Sequence, residues 1–336
     1  GVNMSDNLLM LIEMIEEVLG ESRNTLGADI NEILLALIAS DSLGGNTSKF
    51  VNYEQALQTV NQRKTQLTSA QKSAELEIQS RRAIEMFKEI EDWRRQNGFD
   101  GEITRVWWTA RPNILLGAVP DASPGNPTDV LYEIAGSKGT EYLGISAKSS
   151  KANKDIAFKN PGAGTIAKIL NLNSKQIINS ITSQAVKTIN LPTTAKARKA
   201  MLKSLSREDP IRLKTDQFGS QIENLLRDEL LLKLQKMSIQ DARQHLSKVW
   251  LDAEDAYPFY IKCLGYGVPS KNYGARVFDP INNDKYKALM SQNISFEKSG
   301  QNSIGVSAGN QKIMKIRYKY ESTKLATSMK LSGEPW

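Results

Sequence analysis

Apolar residues recur at helical spacing over residues 7–19 (NLLMLIEMIEEVL), where Gly20 closes the pattern, and again over residues 29–40. Two helices are therefore expected at the start. After a Gly44-Gly45-Asn46 loop, residues 53–97 are rich in helix formers and contain neither Gly nor Pro. Within them residues 62–73 are polar nearly all round and residues 76–93 carry the apolar positions, so the stretch reads either as two antiparallel helices or as a projecting helical arm with a packed continuation. The period then changes. Residues 103–110 (ITRVWWTA) predict a strand closed by Arg111-Pro112, and residues 130–134 and 141–147 predict a hairpin turned at Gly136 to Gly139. Helical spacing returns over 165–172, continues to about 189, and runs from 193 to 248 with a break at Asp209-Pro210. From Trp250 onward alternation takes over, at 258–267, at 294–307 as a hairpin turned at residues 299–302, at 313–321 and at 325–331.

This order predicts an α/β (α+β) chain. Residues 1–190 should hold a mixed sheet flanked by helices, with the helical arm at about 53–97. A helical basic segment should follow at 191–249, and a β-rich C-terminal module at 250–336, suited to substrate recognition. At 336 residues there is room for two or three separate cores, and no internal repeat is evident.

Charge and the rare residues narrow the chemistry. A net charge of +7 suits a partner bearing phosphates. A single cysteine, Cys263, removes disulfide frameworks and cysteine-ligated zinc, and a single histidine, His245, removes histidine-metal nucleases and zinc sites with several His ligands. His245 lies in a polar helical stretch, where a surface or packing role is expected. Carboxylates and lysines must therefore carry any hydrolysis. No apolar run reaches the length of a membrane span and no signal-peptide pattern opens the chain, so no membrane partner and a cytoplasmic location are expected, with Met4 as the native start.

The hairpin carries the chemistry. Alternation puts Ser146 and Lys148 on one strand face and Asp129, Leu131 and Glu133 on one face of its partner, so an acid and a lysine can meet. An ordinary solvated hairpin would show the same short pattern. Pro127-Thr128-Asp129 followed by Ser146-Ala147-Lys148 resembles the PD-(D/E)XK nuclease family, in which an Asp starts the second core strand and an acid-x-Lys triplet lies on the third. The resemblance departs at Ser146, which stands where the second acid would be.

That resemblance implies a restriction-endonuclease-like core and a metal-dependent endodeoxyribonuclease. Asp129 and the Ala147 carbonyl would bind Mg²⁺, with Mn²⁺ as a substitute, and Lys148 would position or help deprotonate the attacking water. The missing acid would be Glu32, delivered by a helix before the sheet as in many family members, or Glu133; the alternative for Glu32 is an exposed stripe. DNA, double-stranded by preference, would be gripped by Lys151, Lys154 and Lys159 after the hairpin. Further contacts are expected from the basic stripe with Lys196, Arg198 and Lys199, and from Lys315, Arg317 and Lys319 on one strand face. Strand lysines also deter edge-to-edge pairing. A homodimer remains open, and so does an inactive nuclease-like protein that only binds nucleic acid or takes part in a phage or defence assembly.

Overall fold

The computed structural model describes residues 28–63, 69–251, 253 and 256–336. The helix expected at 7–19 lies outside them. The chain is α+β, and its described residues divide into two compact units, one within Gly1–Ile156 and Asp255–Pro280, the other within Ala157–Glu254 and Ile281–Trp336.

The first unit is built on helix α1 (Ala28–Ala39), α2 (Tyr53–Arg63), α3 (Ser69–Gln96), strand β1 (Glu102–Trp108), the short α4 (Ile114–Ala118), β2 (Val130–Gly136) and β3 (Gly139–Ser150). Two strands from much later, β4 (Tyr260–Val268) and β5 (Lys271–Phe278), complete its sheet in the order β1-β2-β3-β4-β5. All neighbours are antiparallel except β3 and β4, which run parallel. Parallel strands cannot be joined by a tight turn, so a long connection must separate them in sequence.

Helix α1 is apolar on nearly every side, and such a helix belongs in an interior. Ile30, Ile33, Leu34, Leu35 and Leu37 are buried, together with Val130, Tyr132, Leu143 and Ile145 from one sheet face. Helix α3 closes the same core through Leu76, Ala83, Met86 and Ile90. The expected arm is thus part of the packed body: the helix's apolar stripe has a sheet to cover. The opposite face carries a smaller cluster of Trp107, Val119, Ala122 and Leu131. The outer edge of β1 is not left open, because Val106 donates to the Lys49 carbonyl at 2.8 Å and accepts from Val51 N at 2.9 Å.

The second unit contains α5 (Ala163–Leu170), α6 (Ser174–Ile189), α7 (Ala195–Ser204), α8 (Pro210–Gln235) and α9 (Ile239–His245), which runs on into a π-helical turn at Leu246–Trp250. After the return through the first unit come α10 (Asp284–Ser291) and an antiparallel sheet of β6 (Ile294–Ser299), β7 (Ser303–Ala308), β8 (Gln311–Tyr320) and β9 (Met329–Glu334). Leu226, Leu230 and Leu234 of α8 share a core with Ile304, Ile316 and Tyr318 of the sheet.

Two expected boundaries change. Residues 250–336 do not form one β module, because β4 and β5 pair into the first sheet and only β6 to β9 make the second. The body expected at 1–190 does not reach 190 either, since Ile166 of α5 is buried in the second unit's core. Alternation reveals that a segment is a strand. It carries no information about which strand it joins.

Candidate active site

Asp129 is fixed at the N-terminal end of β2 by its own backbone. Its N–H donates to the Ile145 carbonyl and its carbonyl accepts from Thr109 N, both at 2.8 Å. The preceding Thr128 is held from both sides, its N–H and hydroxyl donating to Asn126 Oδ1 while its carbonyl accepts from Thr109 Oγ1 at 2.6 Å. Gly144 makes this approach possible, because a Cβ there would collide with the Thr128 hydroxyl. The Asp129 side chain then turns along the strand end, where Oδ2 accepts from Ala147 N at 2.8 Å. Burial raises this carboxyl from its ordinary 3.8 to about 6, against the opposing pull of the Ala147 N–H and the Lys148 charge.

Glu32 reaches the same place from α1. It is buried, and its Oε2 accepts from the Trp108 indole Nε1 at 3.0 Å. Trp108 is itself clamped at the end of β1, donating from N to Asn52 Oδ1 at 2.9 Å and accepting at its carbonyl from Asn52 Nδ2 at 2.6 Å. Burial first, then repulsion from Asp129, lifts Glu32 from 4.5 to about 8; the Trp108 hydrogen bond and the Lys148 charge work the other way. Two carboxylates and a lysine therefore feel one another at one end of the sheet.

Lys148 is exposed and stands on the same strand face as the buried Ser146. Immediately after it, Ser149 is tied to α3: Arg82 Nη1 donates to Ser149 Oγ at 3.0 Å and Ser149 Oγ donates to Gln79 Oε1 at 2.7 Å. Arg82 also donates twice to the Gly267 carbonyl near the end of β4, at 3.0 and 2.7 Å. This staple holds the C-terminal ends of β3 and β4 to one helix, so the backbone carrying Lys148 has little freedom. Across the parallel pair, Ser146 lies beside the buried Lys262.

Glu133 is not part of this group. It receives Arg105 Nε at 3.0 Å and Nη2 at 2.7 Å, and Thr104 Oγ1 at 2.8 Å, and the Arg105 bond holds its carboxyl below the ordinary carboxylate range. An acid already satisfied in this way is a poor cation ligand. Its proposal as the missing acid is corrected.

The expected nucleic-acid residues are divided between the units. Lys151 and Lys154 are exposed in the first; Lys159, Lys196 and Lys319 are exposed, and Lys199, Lys315 and Arg317 half-buried, in the second. Arg198 is a correction. It is buried, donating to the carbonyls of Leu325 at 2.8 Å, Pro192 at 3.2 Å and Thr193 at 2.8 Å, so its charge serves backbone that would otherwise be unpaired. Arg317 is partly offset by Glu334 at 3.8 Å on the neighbouring strand. His245 has a packing role: its Nε2 accepts from Trp250 Nε1 at 3.0 Å, and burial lowers it to about 4.

Three residues of the site escaped the sequence. Asp29 lies on α1 one turn before Glu32, and its charge raises both Glu32 and Asp129. Trp108 looks like an ordinary core tryptophan until its N–H is followed. Arg111 pairs with Asp29 at 3.2 Å and stacks on the Trp108 ring with its guanidinium 5.0 Å from the centroid. The i, i+3 spacing of Asp29 and Glu32 was the one available signal.

The donor set fits a hard divalent cation. Asp129, Glu32 and the Ala147 carbonyl would supply oxygens, the carbonyl lying on the same side of its strand as the N–H bonded to Asp129. Among the described residues no three His, Cys, Asp or Glu side chains are gathered as a metal cage. Two side-chain carboxylates, the backbone and water would thus make the shell. No protein-family model matches the chain, and no curated protein matches its sequence. No helix among the described residues is long and apolar enough to cross a membrane.

Proposed function

We propose that this protein is a Mg²⁺-dependent endonuclease of the PD-(D/E)XK type, hydrolysing phosphodiester bonds in double-stranded DNA in the cytoplasm. The observation that carries this reading is the pair Glu32 and Asp129, which are both buried at one end of a mixed sheet, feel the charge of Lys148, and are both displaced upward, by burial first and, for Glu32, by the charge of Asp129. Buried carboxylates are costly unless paired or bound to a metal. In this reading Asp129 and Glu32 hold Mg²⁺ with the Ala147 carbonyl, and Lys148 orients the attacking water and steadies the charge that develops on the phosphate. Bound Mg²⁺ supplies positive charge for the phosphorane and a more acidic water. Ser146 carries no charge, and Glu32 takes the role its position would otherwise fill. A homodimer would let two such sites cut both strands.

The test is cleavage of single- and double-stranded substrates with Mg²⁺ or Mn²⁺ by wild type, Asp129→Asn and Lys148→Ala. Cleavage by wild type that both variants lose supports the enzyme. Equal inertness of all three, with DNA still bound, leaves the second reading, a nuclease-like binding protein. Ser146 favours that second reading, since it stands where the resemblance calls for an acid.

A further inference from the structure

Arg111 occupies a position that ion pairing alone does not explain. It follows β1 closely, where Thr109 N–H and Oγ1 are bonded to the backbone of Asp129 and Thr128, so the chain that carries Arg111 is laced to the start of β2. Its guanidinium lies against the Trp108 indole, whose N–H is already committed to Glu32. One flat ring thereby fixes a carboxylate at its edge and a cation on its face.

Among the described residues Asp29 Oδ2 is the single acceptor given to Arg111, at 3.2 Å. A guanidinium has five N–H donors in a planar fork, and this side chain remains 36% exposed. Compare Arg198, whose donors are spread over three backbone carbonyls in a buried setting. Arg198 is finished as a structural residue, whereas Arg111 has donors to spare on the ring whose N–H holds Glu32. A pair with a partly exposed aspartate contributes little and is readily shared, and an arginine fork matches two oxygens of a phosphate.

We propose that Arg111 is the phosphate-contacting arginine of the site, held in place by the Trp108 ring, paired with Asp29 only until substrate arrives, and binding a non-bridging oxygen of the phosphodiester that Lys148 and the two acids act upon. This rests on the endonuclease reading and adds to it a substrate contact from the end of β1. Trp108 is then a positioning residue for both Glu32 and Arg111.

The experiment measures anisotropy of a labelled DNA duplex with Ca²⁺ replacing Mg²⁺, for wild type, Arg111→Ala, Arg111→Lys and Asp29→Asn, with thermal melts to show that each is folded. Arg111→Ala should weaken binding about 10- to 100-fold, and Arg111→Lys should fall between it and wild type because the charge stays and the fork is lost. Asp29→Asn should bind as well as wild type or better, since it releases the guanidinium. If Arg111 merely pins α1 through Asp29, Asp29→Asn will be as weak as Arg111→Ala, and the inference is overturned. It is also overturned if Arg111→Ala binds like wild type. Failure of wild type to bind DNA at all would overturn the endonuclease reading itself, and this inference with it.

Discussion

Asp129 and Glu133 are four residues apart on one chain segment, yet they live in opposite electrostatic surroundings. Around Glu133 a guanidinium and a hydroxyl supply donors, and its carboxyl is held low. Asp129 accepts from one backbone N–H and is otherwise buried, its charge raises Glu32, and burial pushes both acids high. The first arrangement is complete as it stands. The second is satisfied only when protonated or when a cation arrives, which is what separates a structural acid from a candidate ligand.

The sharpest way to break this contrast is to remove the charge at each end in turn. Asp129→Asn should reduce cleavage to background, and Lys148→Ala should lower it on the order of 10²- to 10³-fold by loss of one charge-stabilising group. Glu133→Gln should leave cleavage unchanged. Cleavage assays on the three variants decide it, and a loss in Glu133→Gln matching that in Asp129→Asn would erase the distinction.

Glu32→Gln comes next. It keeps an acceptor for Trp108 Nε1 and removes a carboxylate that burial disfavours, so the metal-free protein at pH 8 should gain stability, by roughly 1–3 kcal/mol. Cleavage should be lost in the same variant. Denaturant unfolding with and without Mn²⁺ checks both halves, since the variant should also lose the stabilisation that Mn²⁺ gives wild type.

A smaller effect appears in the pH dependence. Asp129 moves from 3.8 to about 6 and Glu32 from 4.5 to about 8, so between these limits the folded chain holds protons that the unfolded chain has released. Their contribution to stability is full below the lower values and is lost as pH rises through about 6 and then about 8. Glu133, displaced downward, has the opposite sign: its contribution is present above its ordinary value of 4.5 and disappears as pH falls through its lowered one. Melts of the metal-free protein from pH 5 to 8.5 should decline, with Mn²⁺ stabilising more at the alkaline end. A Glu32→Gln variant that keeps the whole decline would refute the assignment to Glu32.

The smallest change expected is in the stability of Glu133→Gln. Its partner Arg105 is half exposed at 51%, so solvent screens the pair and the cost should be about 0–1 kcal/mol. A larger loss in chemical denaturation would mean that Arg105, Thr104 and Tyr142, whose hydroxyl donates to Glu133 Oε2 at 3.4 Å, act as a network.

Local pattern made much of this legible. The hairpin, the apolar helix around Glu32 and the alternation of β8 follow from side-chain periods of two and 3.6, and the structure places strands and helices there. Glu32 was noticeable because it is charged where its neighbours are not. Partnership was not legible. The parallel pairing of β3 with β4, the Trp108 bond to Glu32 and the burial of Arg198 beside Leu325 join residues far apart in sequence, and no local composition encodes them. The charge of Arg198 looked like part of a surface stripe because its helix neighbours include the exposed Lys196 and Lys203 and the half-buried Lys199.

The parallel partnership of β3 and β4 also sets a timetable. During synthesis the strand bearing Lys148 leaves the ribosome long before Tyr260, and the intervening chain belongs to the other unit. Until β4 is made, one side of β3 has no backbone partner and the Arg82 clamp has no Gly267 to grip. A nascent chain stopped anywhere before β4 would carry Asp129, Glu32 and Lys148 and still lack the frame that aligns them, so the constellation is completed only when the last quarter of the polypeptide emerges.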